Sequence, residues 1–221
     1  IELNPSFAMA HSNLGTILKD LGKLQDAEFS YRRAIELNPS FAMAHSNLGT
    51  ILKDLGKLQD AKISTLKAIE LNPDFAMAYC NLGAILRDLG NLKDAQFSYR
   101  RAIELNPDLA EAYSSLGIIF LQKSEYELSL KYFSESVELL RGKKVQEPHQ
   151  KSYTTTSKAK IDHDIEQFEY LASQGYETKK FTTLALLYKK VAAEINWPSE
   201  TQLIYLSNKH QSLLKESYNR L

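Results

Sequence analysis

Along the first two thirds of the chain, apolar residues recur at helical spacing and then pause at a glycine or a proline. In the stretch from Ala42 to Phe75, Ala44, Leu48, Ile51, Leu52 and Leu55 share one face of a helix,. Gly56 follows, where a residue without a Cβ takes the left-handed conformation that ends helices,. Ile63, Leu66, Ile69 and Leu71 supply the apolar face of a second helix, which Asp60 begins or precedes. Asn72-Pro73 stops that helix, because a proline disfavours helix in the residue before it,. Gly49 and Ala61 are small at facing positions and predict a close approach of the two helices. Ala68 is placed to pack against the next one.

The pattern is periodic. Residues 1–27 recur letter for letter at 35–61, a displacement of 34 residues. A looser copy begins at Ile69 and a decayed one at Ile103. A unit this short cannot bury its apolar face alone and must stack on its neighbours. The expected molecule is therefore an extended helical array, and the expected function is binding along a surface. In the fourth copy Ser124 replaces the turn glycine. There Ile118, Ile119, Phe120 and Leu121 form a continuous apolar run, where the first copy has Thr16-Ile17-Leu18-Lys19. A helix that is apolar on more than one face is buried on more than one face. The C-terminal segment is thus expected to pack here and cap the array.

Periodicity fades over residues 142–160, which hold five lysines, one glutamate and one proline and read as a linker,. It returns with Ile161, Ile165, Phe168, Leu171 and Ala172, then with Phe181, Leu184, Leu187, Tyr188, Val191 and Ile195. After Trp197-Pro198, a third helical face carries Leu203, Leu206, His210, Leu213 and Leu214. The predicted organisation is an array over 1–141, a Lys-rich linker over 142–160 and a three-helix segment over 161–221.

Charge adds to this division. Residues 1–141 hold 15 basic and 18 acidic side chains, residues 142–221 hold 12 and 9, and the whole chain is formally neutral. No global charge draws it to nucleic acid or to an anionic membrane. Cys80 is the only cysteine, which excludes an intrachain disulfide and a cysteine-based metal site,. No apolar run approaches the ~18 residues of a membrane span. The chain starts inside a repeat at Ile1, without an initiator Met, so it reads as a fragment.

Leu14-Gly15, Ala27, Tyr31, Ala34 and Pro39 recur as Leu48-Gly49, Ala61, Thr65, Ala68 and Pro73. They recur again as Leu82-Gly83, Ala95, Tyr99, Ala102 and Pro107. This spacing resembles the tetratricopeptide repeat (TPR) family, a helix-turn-helix unit with Leu-Gly, Ala, an aromatic, Ala and Pro at these places. Thr65 departs from the aromatic. The fourth set is Leu116-Gly117, Ser129, Phe133, Ser136 and Arg141, with the proline lost. The resemblance implies an all-α fold: a right-handed α-solenoid of TPR helix-turn-helix repeats with a C-terminal helical cap. It also implies that the first helix of each repeat lines a concave groove that takes extended peptides.

On that implication the groove carries Met9, Ser12, Asn13, Thr16, Lys19 and Asp20 from one repeat. The next gives Met43, Ser46, Asn47, Thr50, Lys53 and Asp54; the third gives Met77, Cys80, Asn81, Ala84, Arg87 and Asp88. Methionine is a flexible contact for varied apolar partners, although duplication alone also places one Met in each copy. Asn13, Asn47 and Asn81 form a row ending at Ser115. A side-chain amide offers a donor and an acceptor, as a peptide bond does, so such a row holds an extended backbone without reading its sequence. The row resembles the asparagine ladder of O-linked N-acetylglucosamine transferase arrays, most of all over Asp74-Phe75-Ala76-Met77-Ala78-Tyr79-Cys80-Asn81-Leu82. The alternative is that the amides bond neighbouring helices. A chaperone-tail clamp is disfavoured, because its Lys positions hold Ser12 and Ser46, its Asn is Thr16 or Thr50, and Lys19, Lys53 and Arg87 each precede an Asp.

Candidate chemistry is sparse. His11 and His45 sit at a repeat position that resembling proteins fill with Trp or Tyr, so packing is their expected role. In Asp162-His163-Asp164, neighbouring side chains on a helix diverge by ~100° and cannot converge on one ion,. No phosphate loop, nucleophile elbow or zinc spacing occurs. The expected chain is a non-enzymatic scaffold without cofactor or metal, cytoplasmic, binding a protein or peptide segment in extended conformation. Nucleic acid and membrane are not expected partners, and self-association through the array ends is an open possibility. A competing expectation makes it the substrate-recruiting arm of a larger enzyme, either a glycosyltransferase or an iron/2-oxoglutarate oxygenase. The latter rests on a likeness to the front part of some bacterial multidomain proteins.

Overall fold

A computed structural model describes residues 5–142, together with 165, 166, 168–170, 182 and 185. The described residues fall into two compact units, the first ending at Ala95 and the second beginning at Gln96. The first holds α1 (Pro5–Asp20), α2 (Leu24–Leu37), α3 (Ala42–Asp54), α4 (Leu58–Leu71), α5 (Ala76–Asp88) and the start of α6 (Leu92–Leu105). The second holds the rest of α6, α7 (Ala110–Gln122) and α8 (Tyr126–Gly142). No strand occurs among the described residues, and no helix among them is long and apolar enough to cross a membrane. The fold is all-α, built from consecutive helix-turn-helix pairs.

The turns explain the helix ends. At Gly22 and Gly56 the backbone takes φ 72° and 75°, the left-handed region that costs a glycine nothing,. The glycine N–H then bonds the carbonyl three residues back, and the next residue bonds the carbonyl five back. Gly56 N donates to Lys53 O at 2.9 Å and Lys57 N to Leu52 O at 2.8 Å. This double closure satisfies carbonyls that the helix end leaves open. Ser124 keeps the same closure in the second unit, with φ 61° and 2.9 Å from its N to Leu121 O. The second helices end at Asn-Pro. There the Asn38 and Asn72 Oδ1 atoms accept from the N–H two residues on, at 3.2 Å in both cases, bridging the proline that has none to give,. The helix expected near Asp60 begins at Leu58, which leaves Asp60 in its first turn, where a carboxylate suits the helix dipole,.

In the first unit α1 packs on α2 and α3 on α4 as hairpins. α2 then packs on α3 and α4 on α5, so the first helices α1, α3 and α5 become neighbours. Leu14, Leu18, Ala27, Tyr31, Leu48, Ile51, Leu52, Ala61 and Ile85 form one continuous core. The small residues act as expected. A Cβ added to Gly15 meets the Tyr31 ring at 2.9 Å, and one added to Gly49 meets the Ala61 carbonyl at 3.1 Å. Ala68 is fully buried.

The second unit repeats the hairpin with α7 on α8. Phe133 covers Gly117, 2.9 Å from an added Cβ. Of the apolar run, Ile119 and Phe120 are buried, while Ile118 and Leu121 are half-buried. From the C-terminal segment, Phe168, fully buried, meets Phe133 of α8 edge-on with ring centroids 4.5 Å apart. Residues 1–4, the linker beyond Gly142 and the helices expected over 181–195 and 203–214 lie outside the described residues, apart from the isolated positions named above.

Candidate functional site

The predicted stripe lies entirely in the first unit, on α1, α3 and α5. Helical spacing sets the presentation. The Met, Asn, Thr and Lys or Arg positions of each first helix lie three or four residues apart, so they follow one face. Met9 and Met43 are 53% and 41% exposed, and Met77 is half-buried. Asn13 is exposed, and Asn47 and Asn81 are half-buried. Thr16 and Thr50 are half-buried, as are Lys19, Lys53 and Arg87.

Three members of the expected set, at one repeat position, do not reach this surface: Ser12, Ser46 and Cys80, the last at 1% exposure. Ser12 and Ser46 are buried, at 1% and 0% exposure, and therefore support the row from beneath. The hydrogen bonds show how. Asn81 Nδ2 donates to Ser46 Oγ at 2.9 Å, tying α5 to α3 across the repeat boundary. This is the neighbour-bonding alternative, realised at one rung. Asn13 and Asn47 make no such bond among the described residues, so their amides remain available. Thr16 Oγ1 donates to Ser12 O at 3.2 Å and shares a hydrogen bond with Tyr31 Oη at 3.0 Å. Thr50 Oγ1 donates only to Ser46 O, at 3.4 Å. The difference traces to Thr65, which stands where Tyr31 stands in the first repeat and is too short to reach. Its buried Oγ1 has no partner.

The cations at the far end of the stripe are tempered. Lys19 Nζ lies 3.6 Å from Asp20, Lys53 Nζ 3.0 Å from Asp54, and Arg87 Nη2 3.1 Å from Asp88. Each pair is partly exposed and contributes on the order of 0–1 kcal/mol. Their effect is to give the stripe a zwitterionic edge instead of a cationic clamp.

Ionisation elsewhere is structural. Burial pushes the Tyr31 phenol above its usual range, with the Thr16 hydrogen bond opposing. Burial, with the Arg33 charge next, holds His11 below the usual imidazole value, against the pull of Glu36. His11 is buried, in the packing role expected of it, whereas His45 is half-buried and its Nε2 donates to Pro39 O at 3.0 Å. No group of three His, Cys, Asp or Glu among the described residues is placed to hold a metal ion.

The Asn81–Ser46 link was legible only as two polar columns, 12-46 and 13-47-81, one residue apart in the repeat. The partner of Thr16 was legible as the aromatic column broken at Thr65, although its consequence for Thr50 needed the geometry.

Models of the tetratricopeptide repeat match residues 8–41, 30–63 and 76–109. Comparison with curated proteins gives no match. Among solved structures, MamA is 28% identical with a TM-score of 0.54, over 63% of this chain and 82% of that one. The first TPR of Spaghetti (RPAP3), solved with an HSP90 peptide, is 25% identical with a TM-score of 0.53, over 56% of this chain and 98% of that one. The Thermobaculum terrenum O-GlcNAc transferase is 22% identical with a TM-score of 0.56, over 62% of this chain and 26% of that one, a likeness of fold alone.

Proposed function

We propose that this chain, a tetratricopeptide-repeat scaffold for protein interaction, binds an extended peptide segment along the face formed by α1, α3 and α5. The observation that carries the reading is the pair Asn13 and Asn47. Both amides are reachable, neither is engaged by the protein among the described residues, and both lie between an exposed methionine and a half-buried lysine. Each amide gives a peptide backbone one donor and one acceptor, so register is set by the backbone. Met9, Met43 and Met77 supply adaptable apolar contact. Thr16 and Thr50 line the row, and Ser12 and Ser46 buttress it. The chaperone-peptide complex of the Spaghetti (RPAP3) repeat supports the general mode; the Lys-Asp and Arg-Asp pairs here favour a segment that is not strongly acidic.

The test starts from linear twelve-residue peptides selected on the array from a random phage library, then synthesised and titrated by fluorescence polarisation. Loss of two backbone hydrogen bonds of ~1 kcal/mol each raises Kd by about 10-fold or more in Asn13→Ala/Asn47→Ala. The melting curve stays where it was. Selected peptides that bind the double variant with wild-type affinity refute the reading.

A further inference from the structure

The second helices form a different surface. α3 packs against both α2 and α4, and between those two helices lies a groove of about 590 Å³. Its floor and walls are Ile35, Leu48, Leu52 and Ile63, with His45 and Asp60 at its polar margin. A volume of this size with an apolar lining and a few polar groups is what ligand-binding clefts show. One wall of the groove is open to water: Ile63 on α4 is 67% exposed. A large apolar side chain left in water at the lip of an apolar groove is what a docking surface offers a partner.

The charges say what fits. Arg32 also borders the groove, but its guanidinium donates to Glu28 at 2.9 Å. Glu36 is held by Arg33 at 2.7 Å, and Lys67 by Glu70 at 2.9 Å. Asp60 has no side-chain partner among the described residues. The one uncompensated charge at the groove is thus a carboxylate, at the N-terminal end of α4. Lys57 Nζ, just before α4, donates to Glu28 of α2 at 2.9 Å, so that lysine too is compensated.

We propose that this groove is a second docking surface, distinct from the α1-α3-α5 face, for a partner's amphipathic helix. That helix seats a large aliphatic or aromatic side chain between Ile35 and Ile63 and sets a lysine or arginine beside Asp60. The array then holds two partners on opposite kinds of helix, one by its backbone and one by its side chains. The probe is a labelled 14-residue helical peptide with Leu or Phe at i, i+3, i+4 and i+7 and lysines flanking them, together with its Glu-for-Lys twin. Titration by fluorescence polarisation is run on the full chain, on Ile63→Glu, on Asp60→Asn and on Asn13→Ala/Asn47→Ala. The lysine peptide binds at least 10-fold more tightly than its twin. Asp60→Asn narrows that ratio several-fold, Ile63→Glu abolishes binding, and the asparagine double variant leaves it unchanged. Ile63 is exposed, so its variant keeps the wild-type circular dichroism. Equal binding of the two peptides, no binding of either, or loss of binding in the asparagine variant overturns the proposal. Sedimentation of the full chain covers one other occupant: a dimer that Ile63→Glu dissolves assigns the groove to a second copy and overturns it too.

Discussion

The asparagine row separates into a structural rung and free rungs, and a thermodynamic cycle tests that separation. Asn81 Nδ2 donates to Ser46 Oγ at 2.9 Å, and Ser46 is fully buried. Asn81→Ala removes the bond, and a buried polar group left without its partner costs about 1–3 kcal/mol. Ser46 Oγ is the acceptor in that bond, so Asn81→Ala leaves its O–H free to donate as before and strands only an accepting lone pair. The net cost is therefore at the low end, about 1 kcal/mol. Asn47→Ala removes no side-chain hydrogen bond among the described residues and falls within about 0.5 kcal/mol of wild type. The cycle of Asn81→Ala, Ser46→Ala and the double variant, measured by urea unfolding, gives a coupling energy of about 0.5–1.5 kcal/mol. Asn47→Ala with Ser12→Ala gives none. A coupling indistinguishable from zero for Asn81 and Ser46, or equal costs for Asn47→Ala and Asn81→Ala, refutes the reasoning. All three asparagines then belong to one class.

Three further outcomes follow from particular contacts. Gly56→Ala, at φ 75° and with open space for a Cβ, costs about 1 kcal/mol of backbone strain,. Ser124→Gly, at φ 61°, gains up to about 1 kcal/mol, so the two substitutions shift the urea midpoint in opposite directions,. Thr65→Val deletes a buried hydroxyl without a partner and stabilises by about 1 kcal/mol, whereas Tyr31→Phe deletes the 3.0 Å bond to Thr16 and destabilises by a similar amount,. An unfolding midpoint that drops in the valine variant counts against this account of Thr65. His11 has a depressed folded pKa because burial disfavours its charged form. Its contribution is complete above the ordinary imidazole range near 6.5 and is lost as pH falls, since the unfolded chain takes up the proton first. His11→Tyr, the residue type of Tyr79 at the same repeat position, flattens the stability profile between pH 7 and 5; an unchanged slope excludes His11 as its source.

Much of the fold was legible because the repeat carries its own punctuation. Gly56 and Asn72-Pro73 mark helix ends through backbone rules that need no tertiary information, and α3 and α4 stop where those residues predict. Gly49 and Ala61 announced close packing, since a missing side chain has meaning only where something fills the space. The site was less legible. A helical wheel places Ser12 and Ser46 beside Asn13 and Asn47, but one residue is a 100° turn, enough to carry a side chain from the open face into the core. The groove between α2 and α4 was not visible at all, because Ile35, Leu48 and Ile63 come from three helices and share no local pattern.

Identical sequence does not make identical subsites here, and the reason is the neighbour. Residues 1–27 and 35–61 are the same string, yet Thr16 meets a tyrosine hydroxyl and Thr50 does not. The partner comes from the half of each repeat where the copies differ, Tyr31 in one and Thr65 in the other. Likewise Ser46 accepts from Asn81 while Ser12 receives nothing from Asn47, although the pairs are equivalent by register. A ligand lying along α1, α3 and α5 therefore meets two reachable amides followed by one already committed to the protein. On the proposed binding mode, a peptide shortened at the end lying over α1 loses more affinity than one shortened over α5. A repetitive array acquires direction in this way, where Thr65 replaces the tyrosine of the supporting helix and where α5 carries Tyr79, Cys80 and Ala84 in place of His45, Ser46 and Thr50.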